Sequence, residues 1–293
     1  MMRTIFPAFG LAWMLAAAAP AAAAPAAVDK ASAGRATPVK WAEGLAAPQG
    51  LAVERAGTVL VVENGSGRVV RLDSAGKQAA VVAEGLKKPS WALFVGEMLY
   101  VAEREGNSVA RIRPGRPLTR LTGEVIDPLG LAADPKRPGG LLVVSHRESV
   151  VRAFAPGPMV SGRLALEPAP FAAGAAGAKY GWRDIAAADD GTLYVTDEVG
   201  GAVLRRLPGG AFQVWAGGLS SPSGLTLSPR GELYVTEEGN GRLSRLGTDG
   251  KATVVAEGMG KAREVVFLDA RTLLVSDREG GTVWKVTLPA AAP

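Results

Sequence analysis

The chain is predicted to be all-β and to close into a six-bladed β-propeller of four-stranded antiparallel blades. Three observations predict this. A unit of about 40 residues recurs six times. Each copy holds short apolar runs broken by Gly, Pro, Asn and Asp, with no helical period. The repeated region also begins with a lone strand of the kind that its last copy lacks. Repetition at this period, with four strands per copy, is the sequence signature of a propeller.

The fifth copy, residues 222–259, shows the unit most plainly. Pro222-Ser223-Gly224 opens it, and Leu225-Thr226-Leu227 forms a short run before the turn at 228–231. Residues 233–236 (Leu-Tyr-Val-Thr) make a second run that ends at Glu237. The turn 238–241 leads to a third run at 243–246, and the turn 248–250 to a fourth at 253–256. β-Branched and aromatic runs separated by such turn residues are hairpin-linked antiparallel strands.

Taken from the N-terminus, residues 1–24 read as a secretory signal peptide. Arg3 precedes an apolar stretch from Ile5 to Ala19, and small-residue cleavage sites follow near Ala24. The apolar core is too short and too Ala-rich for a spanning helix, so no membrane span is expected after cleavage. A periplasmic or secreted protein is expected. Residues 25–37 read as a disordered Ala/Pro linker, 38–289 as one propeller, and 290–293 as a disordered tail. The absence of cysteine excludes disulfides, thiol chemistry and a lipid-modified cysteine at the cleavage site. Such a domain must rely on a large closed core. The formal charge of +5 falls to +4 once Arg3 leaves with the signal. Mild basicity on a secreted chain suits anionic envelope polymers, or plain solvation, rather than nucleic acid. A monomer is expected.

The second runs end at Glu63, Glu103, His146, Asp197, Glu237 and Asp277 when the unit is laid along the chain. First runs begin near Leu51, Ala92, Leu131, Ile185, Leu225 and Val265, at intervals of 41, 39, 54, 40 and 40 residues. Only the third interval departs from the period. Its excess lies in residues 155–179, either a gate over the site or an indifferent insertion. The sixth copy stops after its third run, 282–286. Residues 39–45 (VKWAEGL) match the fourth runs 81–86 (VVAEGL) and 254–259 (VVAEGM). The N-terminal strand therefore completes the last blade, closing the ring and removing its open edges.

The pattern Pro-x-Gly-Leu, then Gly-x-Leu-Tyr-Val-x-Asp/Glu, then Gly-x-Arg-Val/Leu resembles NHL repeats. It is also similar to the SMP-30/gluconolactonase/LRE-like superfamily of six-bladed propellers, over nearly all of the mature chain. WD40 repeats fit less well, because no unit ends in Trp-Asp or opens on Gly-His. The resemblance to SMP-30-like lactonases implies a divalent metal on the axis, held by Glu, Asn and Asp at the x of Pro-x-Gly. Here those positions are Gln49, Ser90, Leu129, Arg183, Ser223 and Arg263, none of them a carboxylate. Hard divalent cations want several oxygen ligands, and two guanidinium groups would repel them. No metal and no other cofactor is expected. Asp184 and Glu264 each lie one residue away, so a shifted alignment would bring part of such a site back.

Antiparallel pairing puts the ends of the second runs on the same face as the starts of the first. The acids at this repeat position read as acceptors for backbone N–H groups of the following turn. His146, the one histidine, is a candidate general base on its intrinsic pKa, without a second His, a Cys or an evident serine elbow. Trp91 stands where units one, three and five carry glycine, and unit four opens Tyr180-Gly181-Trp182-Arg183. Aromatic rings beside arginine suit sugar-like or anionic ligands. Equally, Trp91 and Trp182 are large enough to plug the channel as core. The candidate site is the axial mouth, with Trp91, His146, Tyr180, Trp182, Arg183 and Arg263. The leading reading is a binding module for a small anionic or sugar-like ligand, or for a peptide or protein partner. The alternatives are a hydrolase of lactones or related esters, and a scaffold that works through its outer rim.

Overall fold

The computed structural model describes residues 34–54, 57–113, 116–122, 125–154 and 181–289. Among them are 23 β-strands and no helix. They form six antiparallel sheets, five of four strands and one of three. The three-stranded sheet is blade three, Pro128–Ala133, Leu141–Ser145 and Val150–Phe154. Residues 155–180, which include Tyr180 and the insertion, lie outside the described residues.

Blade six is completed from the other end of the chain. Val39–Ala42 pairs antiparallel with Thr282–Thr287, Val39 opposite Lys285 and Ala42 opposite Val283. This is the closure the matching chain ends predict. Residues just before it, read from the sequence as linker, lie against blade five: Ala36 N–H donates to the Val255 carbonyl at 2.8 Å, and Arg35 pairs with Glu257. The signal peptide and the tail fall outside the described residues. No helix among the described residues is long and apolar enough to cross a membrane.

The core lies between blades rather than inside them. Second strands such as Val59–Glu63, Leu141–Ser145 and Leu233–Glu237 are buried along their whole length, covered on both faces by neighbouring blades. A strand covered on both faces reads as a continuous apolar run, which explains their composition. One apolar cluster fills each of the six junctions. Leu60, Val62, Ala92 and Val101 join blades one and two, and Leu51, Val61, Leu274 and Val283 join six and one.

Every first strand carries a bulge at its axial end. Pro48 faces Glu63 but Leu51 faces Val61, so a step of three residues opposes a step of two. The same shift recurs from Pro89 to Ala92, Pro128 to Leu131, Trp182 to Ile185, Pro222 to Leu225 and Ala262 to Val265. A bulge bends the strand and re-aims its side chains, here where all six strands converge. Blades one, three and five need glycine at the third bulge position. A Cβ on Gly50, Gly130 or Gly224 would run into the first strand of the next blade. Hydroxyls tie neighbouring first strands together. Thr236 Oγ1 accepts from Gly224 N–H and donates to Arg263 O, and Ser276 Oγ accepts from Glu264 N–H and donates to Gln49 O.

Candidate functional site at the axial mouth

The strand-end acids build the mouth rather than serve it. Glu63 accepts from Ala46 N–H, Glu103 from Lys87 N–H and Glu237 from Ser220 N–H, each at 2.9 Å. Asp277 takes Lys261 N–H at 3.0 Å, and Asp197 takes Gly200 N–H at 3.0 Å. Burial works to raise the Glu63 pKa, but hydrogen bonds from Ser66, Ala46 and Arg68 outweigh it and hold the carboxyl below its ordinary range. These are structural carboxylates.

His146 does not belong to that ring. Pro128 faces Ser145 in the register that sets Pro48 opposite Glu63 and Pro89 opposite Glu103, so Ser145 holds the place of the acid. The run 142–145, not 143–146, is the counterpart of 60–63. His146 belongs one residue further on, in a second ring with Asn64, Arg104, Glu198, Glu238 and Arg278. Each of these six donates its backbone N–H to the loop that opens its own blade, through Asp127, Ala47, Lys88, Gly181, Ser221 and Lys261 respectively.

This second ring divides by charge. On the side of blades four to six, Arg183 contacts Glu198 through Nε and Nη2, both at 2.5 Å, and reaches Glu238 at 3.4 Å. Arg263 contacts the same Glu238 at 3.1 Å. Side-chain exposure is 12% for Arg183, 6% for Arg263 and 13% for Glu238, so this is a buried chain of alternating charges. Burial raises the Glu238 pKa, with Arg183 opposing the shift. Both arginines thus stand at the mouth, but already neutralised. Neither their charge nor the remaining Gln49, Ser90, Leu129 and Ser223 suits a divalent cation, so the donor set does not fit the metal that lactonase resemblance implies.

On the other side a cavity of about 520 Å³ is lined by Asn64, Lys88, Arg104, Glu105, Asn107, Asp127, Arg147 and Arg278. Arg104 grips Asp127 with two prongs, Nε–Oδ1 at 2.7 Å and Nη2–Oδ2 at 3.0 Å. Arg147 lies 3.8 Å from the same carboxylate. Lys88 and Arg278 are exposed and make no ion pair within 4 Å among the described residues. Four cations against two carboxylates leave this cavity positive.

His146 stands between the two sides. Its Nδ1 lies 2.8 Å from the Trp182 carbonyl, which can only accept, so Nδ1 carries the proton and Nε2 is the acceptor of the neutral ring. Burial lowers its pKa. The Trp182 hydrogen bond and Asp127 oppose that shift, while Arg183 and Arg104 add to it. The ring is neutral at pH 7.

Trp91 and Trp182 take the packing role of the two open to them. Trp91 is 2% exposed, between blades two and three against Val109, Leu121 and Leu129. Trp182 is fully buried between blades three and four, with the Phe212 ring edge-on at 4.8 Å. Of the six residues chosen from the sequence, the fold gathers Arg183, Arg263 and His146 at the mouth and draws the tryptophans into the walls. Asn64, Lys88, Arg104, Arg147, Glu198, Glu238 and Arg278 escaped sequence reasoning. A signal was available, because five of them directly follow a strand-end acid and differ in charge from copy to copy.

No protein-family model matches the chain, and no curated protein matches it in sequence. Solved structures do match its fold. A gluconolactonase from Xanthomonas campestris superposes with a TM-score of 0.71 at 17% identity, over 90% of this chain and 94% of that one. Virginiamycin B lyase from Staphylococcus aureus gives 0.62 at 15% identity, over 87% and 99%. A streptogramin B lyase gives 0.63 at 13%, over 86% and 97%. At these identities the likeness is one of architecture, and propellers host unrelated activities. The chain is a six-bladed β-propeller, with the fold that these gluconolactonase and lyase structures share.

Proposed function

We propose that this chain is a secreted or periplasmic binding module that takes a small anionic ligand at its axial mouth. The observation that carries the reading is the positive cavity of Lys88, Arg104, Arg147 and Arg278, with Asn64 and Asn107 as neutral donors. Guanidinium groups pair with carboxylate or phosphate through two parallel N–H bonds, and Lys88 adds a mobile point charge. Only Arg104 and Arg147 have a carboxylate partner there, so Lys88 and Arg278 keep their full charge for a ligand. The address rests on the basic, apolar and small-residue pattern of residues 1–24.

The test is a thermal-shift panel of sugar phosphates, sugar sulfates, aldonates and their neutral parent sugars at low and high salt. An anion that stabilises the protein, while its neutral parent does not, supports the reading. Equal effects of anion and parent would defeat it. A second reading, a hydrolase of lactones or related esters, is favoured by one observation. His146 is neutral, and its Nε2 is an acceptor while Nδ1 is fixed. Lactone turnover that His146→Ala abolishes without loss of anion binding would favour that reading.

A further inference from the structure

We propose that the opposite end of the propeller axis is a second site, for a small ammonium ion with an apolar body. A cavity of about 430 Å³ runs between the six first strands. Its walls are Val53, Leu93, Phe94, Leu227, Val266 and Phe267, among other apolar residues, and it includes two acids, Asp184 and Glu264. Both occupy the third bulge position, where blades one, three and five carry glycine. Both are buried, Asp184 at 2% and Glu264 at 4% exposure.

The two acids differ in what holds them. Asp184 has a donor on each oxygen: Oδ1 accepts from Ile185 N–H at 2.8 Å and Oδ2 from Leu225 N–H at 2.7 Å. Glu264 Oε1 accepts from Val265 N–H at 3.0 Å, but Oε2 has no partner among the described residues. Burial of a carboxylate oxygen without a partner is costly, so this position has a structural reason only if something donates to it. Rotating that carboxyl into the cavity breaks one hydrogen bond. An ammonium then donates to it while its carbon body lies along the apolar walls. Two carboxyl groups in an apolar tube give a divalent cation too few oxygen ligands, whereas an ammonium needs only one or two acceptors. Burial, and for Glu264 also the charge of Asp184, raises both pKa values and favours the protonated acids, so a cation that binds there displaces a proton.

The experiment is calorimetric titration of the intact protein at pH 8 with benzylamine and, separately, with its neutral isostere benzyl alcohol. The expected result is saturable one-to-one binding of the amine, at least about tenfold tighter than the alcohol, with heat that depends on the buffer because a proton is released. Glu264→Gln should lower amine affinity at least about tenfold, and Lys251→Ala, at an exposed basic residue paired with Asp249, should leave it unchanged. Equal affinity for amine and alcohol, or no saturable amine binding, overturns the proposal. So does full amine affinity in Glu264→Gln. The comparison of the two ligands on the unaltered protein holds whether or not that variant folds.

Discussion

Replacing Trp182 with alanine separates a wall residue from a site residue. Its side chain is fully buried at the junction of blades three and four, among Val144, Val151, Ile185 and Phe212. A buried tryptophan removes roughly 150–250 Å² from water, worth about 4–6 kcal/mol at about 25 cal/mol per Å². Its Nε1 has no hydrogen-bond partner among the described residues, and removing that unsatisfied donor returns about 1–3 kcal/mol. The net expected loss is about 3 kcal/mol, near the lower end of the range for removing a core aromatic. In a domain of this size that lowers Tm by roughly 6–12 °C. Urea unfolding followed by tryptophan fluorescence and circular dichroism reads it directly. Affinity for the mouth anion, measured well below the new Tm, should change less than about threefold. A loss under about 1 kcal/mol together with collapsed anion binding would refute the packing argument and return Trp182 to the site.

Three further outcomes are expected. Burial pushes the Asp184 pKa from 3.8 up to about 8, and Glu264 is raised in the same direction. Between about pH 4 and about pH 8 the native state therefore holds protons that the unfolded chain has lost, so stability falls as pH rises through that window. In Asp184→Asn the fall should be shallower, as read by urea midpoints across the same range. Deleting residues 34–45 removes the strand paired with Thr282–Thr287 and takes Ala42 and Leu45 from the core. The urea midpoint should drop by the equivalent of at least about 3 kcal/mol and an open edge should promote association, which light scattering would detect. Glu238→Gln leaves Arg263 without its carboxylate and Arg183 with only Glu198. Removing one partner of a buried ion pair should cost about 3 kcal/mol, measured in the same unfolding assay.

The fold was legible because the information for it is repeated. Six copies of one turn-and-run pattern specify six blades, and the VKWAEGL segment shows which strand closes the ring. The bulges were not legible. One extra residue in a first strand changes neither composition nor turn signals, and appears only when Pro48 and Leu51 are set against Glu63 and Val61. The same cause underlies the one-residue slip at His146: the run Leu141-Leu142-Val143-Val144 reads alike in either register, and Ser145 gives no acidic marker. Arg183 and Arg263 lie at the mouth end of their strands, but the carboxylates that pair with them, Glu198 and Glu238, could not be read from the repeat. The contact from Arg183 to Glu238 crosses between blades, where no local pattern reaches. Trp91 and Trp182 could not be assigned for a related reason. A large residue at the bulge fits a wall or a mouth equally well until its burial is known.

Anion binding at the mouth is tested most directly by calorimetric titration of the strongest sugar acid or phosphate from the panel into three proteins. These are the unaltered chain, Arg278→Ala, and Lys251→Ala as an exposed basic control paired with Asp249 on blade five. The expected result is a loss of about 5- to 20-fold in affinity for Arg278→Ala, the equivalent of about 1–2 kcal/mol for one charge-assisted contact, and no change for Lys251→Ala. Equal affinities in all three proteins, or equal losses in both variants, would contradict the assignment of the ligand to the axial mouth.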